Sequence, residues 1–342
     1  MKTALLAATL AISSASFAAS APKPDSDMKM VLDTLARKNP KPIEKLSAEE
    51  ARRQPTVADA TMDVIRKDKG SFVPMPVDSV VDREINGADG KIMARIYTPK
   101  EVKMGEALPV IVYFHGGGFV IATNDTYDAT PRALANGAKA IVVSPEYRKA
   151  PENKFPAAHN DAFAAYKWVL ANATSFNGNP MKVAVAGESA GGNLALNVAI
   201  MARDQKITMP THELLIYPVV GTDMNTESYI MNKDAKPLNK AMMGWFVKNY
   251  TRSPDDLKDS RINLLSANFK GLNPATVITA EIDPLMTEGE KLSKEMQKQG
   301  VTVDYKNYEG VTHEFFGMAP VVMESQAAQM KASDNIRNSF QM

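Results

Sequence analysis

The sequence contains no cysteine among its 342 residues. This absence excludes disulfides, thiol nucleophiles, iron–sulfur clusters and cysteine-based zinc sites. Histidine is nearly as scarce, because the chain has only four, His115, His159, His212 and His313. Any mechanism that needs an imidazole base therefore draws on one of these four side chains.

An excess of charge of one sign is also missing. The 40 basic and 39 acidic residues leave a formal net charge of +1, so nothing in the composition indicates a nucleic acid or an anionic membrane as a partner. The hydrophobic share of 44% and the charged share of 23% are typical of globular proteins. We therefore expect one large domain or two ordinary ones, and we exclude disorder, collagen-like repeats and coiled coils as a global description.

The apolar run at the N-terminus is too short to span a membrane. It covers Ala4 to Ile12 and is followed by small residues, whereas a spanning helix needs about 20 apolar residues. This layout predicts a bacterial secretory signal peptide over residues 1–18, cleaved after Ala18, and export to the periplasm or the medium. Cleavage after Ala21 is disfavoured because Pro22 follows it, and an uncleaved anchor is the remaining alternative.

Downstream of a charged segment with a helical pattern, the chain alternates short apolar strands with helices. Val80–Ile85 and Ile92–Tyr97 flank the turn Asn86–Gly90 and predict a β-hairpin. Further strands are predicted at Pro109–Phe114, Ala140–Ser144, Lys182–Ala186, Glu213–Tyr217, Ala275–Ala280 and Thr302–Tyr308. Helices are predicted near Ala157–Ala171, Ala190–Ala202, Thr287–Gln299 and Glu324–Phe340. Apolar strands joined by helices indicate an α/β fold with a mostly parallel sheet covered on both faces.

The segment Gly187–Gly192 is the strongest local signal for chemistry. It reads Gly-Glu-Ser-Ala-Gly-Gly, follows a predicted strand and opens a predicted helix. A Gly-x-Ser-x-Gly in this context is typical of a nucleophile elbow, in which the glycines allow a strained turn that exposes the serine hydroxyl. The alternative is an ordinary glycine-rich strand-to-helix turn, of which phosphate-binding turns are one kind.

A second glycine motif lies upstream of the serine. His115–Phe119 reads His-Gly-Gly-Gly-Phe at the end of a predicted strand. Consecutive glycines let backbone N–H groups turn toward a developing oxyanion, and the N–H of Ala190 adds a further donor. We interpret His115 as an organiser of this loop rather than as the catalytic base.

A serine nucleophile needs a base and a group that orients the base. His313 follows the last predicted strand, and Asp283 follows the strand before it. Ser189, Asp283 and His313 therefore come in the chain order of an α/β-hydrolase, each at the carboxyl end of a strand. Glu281 is the rival acid, but we place it still within its strand. His159 and His212 are left with structural roles.

These stretches resemble the hormone-sensitive-lipase-like carboxylesterases, the bacterial family IV esterases. The matching stretches are His115–Phe119, Glu146–Glu152, Phe155–Ala158 with Asp161, Gly187–Gly192, and Asp283–Leu285 with Glu288 and Gly289. The resemblance implies an α/β-hydrolase fold whose catalytic domain is formed by residues 80–220 and 265–342. It also implies a helical cap formed by residues 19–79 and the insertion 221–264.

The resemblance implies roles for single residues as well. Gly116, Gly117 and Ala190 would form the oxyanion hole. Glu188 and Glu146 depart from the family, which usually has Asp at both positions. Because both substitutions keep the charge and add a methylene, they affect the positioning of the elbow and not the reaction class.

We accordingly expect a serine carboxylesterase that hydrolyses short- to medium-chain acyl esters through an acyl-enzyme, with a small-molecule ester as partner and no cofactor or metal. Since the base must be neutral, activity should fall on acidification through about pH 6–7. The side chains expected in the substrate pocket are Phe119, Met242, Trp245 and Phe246. For the cap residues among them, packing of the cap onto the sheet is the alternative.

Rival functions come from other classes. An amidase or deacetylase could use the same triad, and the sequence does not separate it from an esterase. A non-catalytic ligand receptor of this superfamily would be expected to lose the base, which is present here. A metal-dependent hydrolase is disfavoured because the four histidines show no His-x-x-x-His spacing. Dimerisation through the last strand of the sheet is common in relatives, so a homodimer stays open.

Overall fold

The computed structural model describes residues 21–101 and 105–341, and a single eight-stranded β-sheet forms its centre. The strands are β1 (Ser79–Asn86), β2 (Lys91–Thr98), β3 (Leu108–Phe114), β4 (Ile141–Pro145), β5 (Gly178–Glu188), β6 (Glu213–Ile216), β7 (Ala275–Ile282) and β8 (Val303–Thr312). Their order across the sheet is β1-β2-β4-β3-β5-β6-β7-β8. The predicted signal peptide lies outside the described residues.

The sheet is antiparallel only at one edge. β1 pairs with β2, and β2 with β4, in antiparallel register, with Ser79 opposite Thr98 and Ala94 opposite Pro145. From β4 to β8 every neighbouring pair is parallel. Parallel neighbours need crossover connections, and their helices cover the faces of the sheet. The predicted hairpin and the predicted mostly parallel α/β sheet are both confirmed.

Strand β3 illustrates how both faces are buried. Val110, Val112 and Phe114 contribute to one apolar core, while Ile111 and Tyr113 contribute to the other. All five side chains are fully buried. Because alternate residues of a strand point to opposite faces, a strand between two cores reads as a continuous apolar run.

Helices cover both faces of the sheet. Within the described residues they are α1 (Ser26–Arg37), α2 (Ala48–Ala51), α3 (Val57–Lys69), α4 (Ala129–Ala138), α5 (Ala157–Asn172), α6 (Ala190–Asp204), α7 (Glu227–Met231), α8 (Lys240–Tyr250), α9 (Met286–Lys298) and α10 (Met323–Ser339). α5 and α6 contribute Ala162 and Leu194 to one core. α4 and α10 contribute Leu134 and Ile336 to the other. None of these helices is both long enough and apolar enough to cross a bilayer.

Capping boxes stabilise the first turns of α2 and α3 in the N-terminal segment. The Ser47 hydroxyl accepts a hydrogen bond from the N–H of Glu50, whose carboxylate accepts one from the N–H of Ser47. Thr56 and Asp59 form the same reciprocal pair at the start of α3. Each pair satisfies two N–H groups that lack a partner within the helix.

Helix α4 was not predicted from the sequence pattern. It contains Pro131 in its first turn and Gly137 near its end, and both residues normally mark breaks. Proline is tolerated in a first turn because the backbone N–H groups there have no acceptor within the helix, so the missing N–H of proline costs no hydrogen bond. The last strand also continues past the predicted Tyr308 to Thr312, so that His313 follows its end directly.

Candidate active site

Ser189 lies in a sharp turn between β5 and α6. Its backbone has φ 56° and ψ −117°, a strained conformation for a residue with a β-carbon. The flanking glycines make the turn possible, because a β-carbon on Gly187 would collide with the backbone of Gly191, and one on Gly191 would collide with the carbonyl of Phe114. The turn has the strand–turn–helix geometry that the sequence predicted for a nucleophile elbow.

Three predicted site residues meet beyond the carboxyl ends of β5, β7 and β8. The Nε2 atom of His313 lies 3.0 Å from the Oγ atom of Ser189, and its Nδ1 atom lies 2.6 Å from Oδ2 of Asp283. A carboxylate can only accept, so Nδ1–H donates to Asp283 and Nε2 is left to accept from the serine hydroxyl. His313 and Asp283 are 3% and 0% exposed, which shields this relay from solvent.

The electrostatics of the relay favour a basic imidazole. Burial alone would lower the pKa of His313, but the Asp283 carboxylate outweighs that effect and holds the pKa above its ordinary value. Asp283 is itself fixed, because its Oδ1 atom accepts a hydrogen bond of 2.9 Å from the N–H of Leu285. The Nδ2 group of Asn232 also donates to the backbone carbonyl of Asp283.

The rival acid Glu281 lies elsewhere. It is part of β7, as the sequence predicted, and its Oε2 atom accepts from the N–H of Gly310 at 2.8 Å. Glu281 therefore ties β7 to the bend in β8, whereas Asp283 is the carboxylate that contacts the imidazole.

The glycine loop after β3 approaches the serine from the opposite side. Gly117, Gly118 and Phe119 all have positive φ angles, of 93°, 58° and 62°. The carbonyl of Gly116 accepts a hydrogen bond of 2.8 Å from Nδ1 of His115. The ring of His115 in turn stacks on Tyr147 with 4.4 Å between centroids. His115 thus braces the loop, as expected, whereas the imidazole that contacts Ser189 is that of His313.

The three residues expected to form the oxyanion hole lie close to the turn that carries Ser189. Gly117 lines the same cavity as Ser189. A β-carbon on Gly116 would lie 3.1 Å from the carbonyl of Glu188, so the glycine loop packs directly on the elbow. Ala190 is the first residue of α6, where a backbone N–H has no acceptor within the helix.

A cavity of about 440 Å³ opens over the serine. This volume lies within the range of small-molecule sites. Leu35, Ile43, Arg52 and Val57 of the N-terminal segment line it. Residues of the segment 221–264 line it as well, and they include Met224, Tyr229, Met242, Met243, Phe246 and Tyr250. Both segments expected to form the cap therefore contribute walls to the cavity.

The expected pocket residues separate into two groups. Phe119, Met242 and Phe246 line the cavity, and Gly118 has no room for a β-carbon because the Phe246 ring lies against it. The prediction for Trp245 was wrong. Its indole Nε1 donates to the carbonyl of Leu46 at 3.0 Å, so this side chain packs α8 against the N-terminal segment outside the cavity lining.

His159 holds a buried hydrogen-bond network beside the pocket. Its Nδ1 and Nε2 atoms lie 2.7 Å from the hydroxyl of Tyr250 and 2.8 Å from Oδ1 of Asn193. Tyr250 stacks on Phe119 with 4.1 Å between centroids. Burial lowers the pKa of His159 to about 4, so it is neutral at pH 7. The sequence pattern missed Tyr250 and Asn193, which are 91 and 34 residues away from His159.

His212 is also buried and structural. Its Nε2 atom lies 2.8 Å from the hydroxyl of Thr276, and burial lowers its pKa to about 4. In the described part of the chain, no three or more His, Cys, Asp or Glu side chains are grouped so that they could hold a metal ion.

Glu188 is a buried carboxyl group directly beneath the nucleophile. Its Oε1 atom accepts from the hydroxyl of Tyr113 at 2.6 Å, and the hydroxyl of Tyr217 donates to its other oxygen. Burial raises the pKa of Glu188 to about 7 despite these donors. The ring of Tyr217 lies 4.5 Å from that of His313, so this network also supports the base.

Comparison with protein families and known proteins agrees with this geometry. Residues 111–317 match a protein family whose description is "alpha/beta hydrolase fold". A carboxylesterase of Mycobacterium tuberculosis is 38% identical over 248 residues, which cover 71% of this chain and 77% of the relative. An ethyl acetate hydrolase of Pseudomonas putida is 30% identical over 287 residues, which cover 83% of this chain and 88% of that protein.

A solved structure supports the same relationship. The esterase of Pyrobaculum calidifontis superposes with a TM-score of 0.79 at 37% sequence identity. The match covers 86% of this chain and 94% of that esterase.

Proposed function

Because the chain belongs to the α/β-hydrolase family and is a carboxylic ester hydrolase, we propose that it works through an acyl-enzyme formed on Ser189. The observation that carries the proposal is the continuous relay from Ser189 through His313 to Asp283, with contacts of 3.0 and 2.6 Å. In this scheme His313 is the general base and Asp283 orients it. No step calls for a cofactor.

The first half-reaction transfers the acyl group to the enzyme. The Oγ atom of Ser189 attacks the ester carbonyl while Nε2 of His313 takes the hydroxyl proton. The resulting oxyanion is held by the backbone N–H groups of Gly116, Gly117 and Ala190. His313 then gives the proton to the alkoxide, which leaves as the alcohol.

Water completes the cycle by the same route. His313 takes a proton from a water molecule, and the hydroxide attacks the acyl carbon of the Ser189 ester. When the second tetrahedral intermediate collapses, the proton returns to the Oγ atom of Ser189 and the carboxylic acid is released. The raised pKa of His313 suits both steps, since the imidazole must hold the proton transiently.

The substrate is an ester of short to medium acyl chain length. A cavity of about 440 Å³ whose walls include Phe119, Met242 and Phe246 favours a small apolar group. A similar chain in Pseudomonas putida is an ethyl acetate hydrolase, which fits the short end of this range. The segments 19–79 and 221–264 act as the cap that encloses the substrate. A series of p-nitrophenyl esters from C2 to C16 tests this preference, and highest kcat/KM on the longest chains would contradict it.

The Ser189→Ala variant tests the nucleophile. We expect p-nitrophenyl ester turnover to fall at least ~10³-fold, because the covalent route is closed, while the unfolding temperature stays close to that of the original protein. Activity that survives in a folded variant would refute the assignment. Assaying matched anilides in parallel separates an esterase from an amidase or deacetylase on the same triad.

Export is a further part of the proposed function. Residues 1–18 have the layout of a signal peptide, which would direct the enzyme to the periplasm or the medium. N-terminal sequencing of the mature protein should give a chain that begins after Ala18. Retention of Met1 would contradict the proposal.

A further inference from the structure

Glu314, the residue after the base, has an unusual backbone. Its φ and ψ angles are 72° and 4°, in the left-handed region that a β-carbon disfavours. A glycine would adopt this conformation without strain. A glutamate that keeps it beside His313 must be held by contacts of its side chain or its neighbours.

The contact that Glu314 makes is with Tyr127. The hydroxyl of Tyr127 donates to Oε1 of Glu314 over 2.5 Å, and Tyr127 is 6% exposed. Burial and the neighbouring carboxylates raise the pKa of Tyr127 well above its ordinary value, so it remains a donor at all working pH values. The two residues are 187 positions apart, so this is a long-range tie between two loops.

Tyr127 also lies against the loop of the expected oxyanion donors. A β-carbon on Gly116 would collide with the Tyr127 hydroxyl and lie 2.9 Å from its Cζ atom. The ring centroid of Tyr127 is 5.9 Å from that of His115. Tyr127 therefore hydrogen-bonds to the segment that carries the base and packs against the glycine loop, and both Tyr127 and Glu314 line the cavity.

We infer that Tyr127 and Glu314 form a positioning pair, which fixes the segment that carries His313 relative to the glycine loop at Gly116. The inference rests on the proposed function, because the pair acts through His313 and the oxyanion donors and has no chemical step of its own. Its action is to keep the distance between the Nε2 atom of His313 and the oxyanion donors constant. Small errors in that geometry lower the rate of the chemical step more than they weaken substrate binding.

The pair also adds negative charge near the base. The ionisable groups around the imidazole of His313 are Asp283, Glu288, Glu188, Tyr217 and Glu314. The carboxylate of Glu314 is among the groups that raise the pKa of His313. Replacing Glu314 with Gln removes this charge but keeps an oxygen that can accept from Tyr127.

Three variants separate positioning from backbone strain and from charge. Tyr127→Phe removes the donor, and Glu314→Gly removes the acceptor while relieving the backbone strain. Each should lower kcat on p-nitrophenyl esters about 10-fold or more with KM changed less than about 3-fold, and the double variant should be no worse than either single one. Glu314→Gln should retain most of kcat and move the acidic limb of kcat/KM to lower pH.

Glu309→Gln is the matched control, because Glu309 lies exposed on β8 and its variant removes a carboxylate without touching the pair. Circular dichroism and thermal unfolding establish that each variant is folded, and if Tyr127→Phe does not fold, Glu314→Gly carries the test. Full kcat in Glu314→Gly, or losses that add in the double variant, would overturn the inference. An active Ser189→Ala protein would instead refute the proposed function, so the two failures are distinguishable.

Discussion

Replacing Asp283 with Asn tests how the base is oriented. Both oxygens of Asp283 accept hydrogen bonds, from Nδ1 of His313 at 2.6 Å and from the N–H of Leu285 at 2.9 Å. Asparagine has one acceptor oxygen and one NH₂ group, so an NH₂ group must face one of these two donors. If it faces His313, Nδ1 must accept and the imidazole changes tautomer, so Nε2 already carries a proton and cannot accept the one from Ser189.

The wrong tautomer leaves no base for the serine. The same change in a Ser-His-Asp protease lowers kcat roughly 10⁴-fold, which corresponds to about 5.5 kcal/mol of activation free energy. We expect a loss of that order in kcat/KM for p-nitrophenyl acetate. Glu281→Gln is the matched control, because it changes a carboxylate two residues away that contacts Gly310 and not His313. Its activity should stay within about 3-fold of the original.

The assay compares both variants at one pH after their unfolding temperatures have been measured. Asp283 is not the orienting acid if folded Asp283→Asn retains more than about a tenth of kcat/KM, or if Glu281→Gln loses more activity than Asp283→Asn. The second outcome would move the orienting role to Glu281.

Three further predictions concern pH, stability and substrate size. The acidic limb of kcat/KM should have its midpoint above about 6.5, because Asp283 raises the pKa of His313; a midpoint well below that value would contradict it. Glu213→Leu should stabilise the fold by about 1–3 kcal/mol in urea unfolding at pH 8, since both carboxyl oxygens of Glu213 are buried and neither has a hydrogen-bond partner among the residues that the structure describes. Burial raises the pKa of Glu213, so the original protein loses stability as the pH rises above about 4.5. The difference in unfolding free energy between the variant and the original protein should therefore grow from pH 4.5 to pH 8. A difference that shrinks over this range would contradict the prediction. Phe246→Ala should raise the ratio of kcat/KM on C8 esters to that on C2 esters roughly 10-fold, because the Phe246 ring lines the cavity. Trp245→Ala should leave this ratio unchanged, and equal effects of the two variants would refute the assignment of Phe246 alone to the cavity wall.

The sequence predicted what depends on short-range signals. The turn at Asn86–Gly90 marks the hairpin, and the glycines around Ser189 mark the elbow, because few other residues fit such backbone conformations. Asp283 and His313 could be proposed as its partners since the carboxyl ends of parallel strands meet at one edge of the sheet. The observed sheet and the family match confirm the fold class, and the similarity to known carboxylesterases confirms the ester hydrolase activity.

Contacts between residues that lie far apart in the chain could not be predicted from the sequence pattern. Adjacent residues on a helix differ by about 100° in direction. The run of apolar residues in α8 therefore cannot indicate which of its side chains, Phe246 or Trp245, lines the cavity. The pairing of Tyr127 with Glu314 joins two loops whose local sequence carries no sign of the other. The contacts of His159 were missed for the same reason.

Covalent labelling with a fluorophosphonate ester shows whether Ser189 carries the acyl group. Peptide mass spectrometry should find one adduct, on the peptide that contains Ser189, with activity lost in proportion to its occupancy and no adduct on the Ser189→Ala variant. Complete labelling of Ser189 with full activity remaining, or inactivation through an adduct on another residue, would rule out Ser189 as the nucleophile.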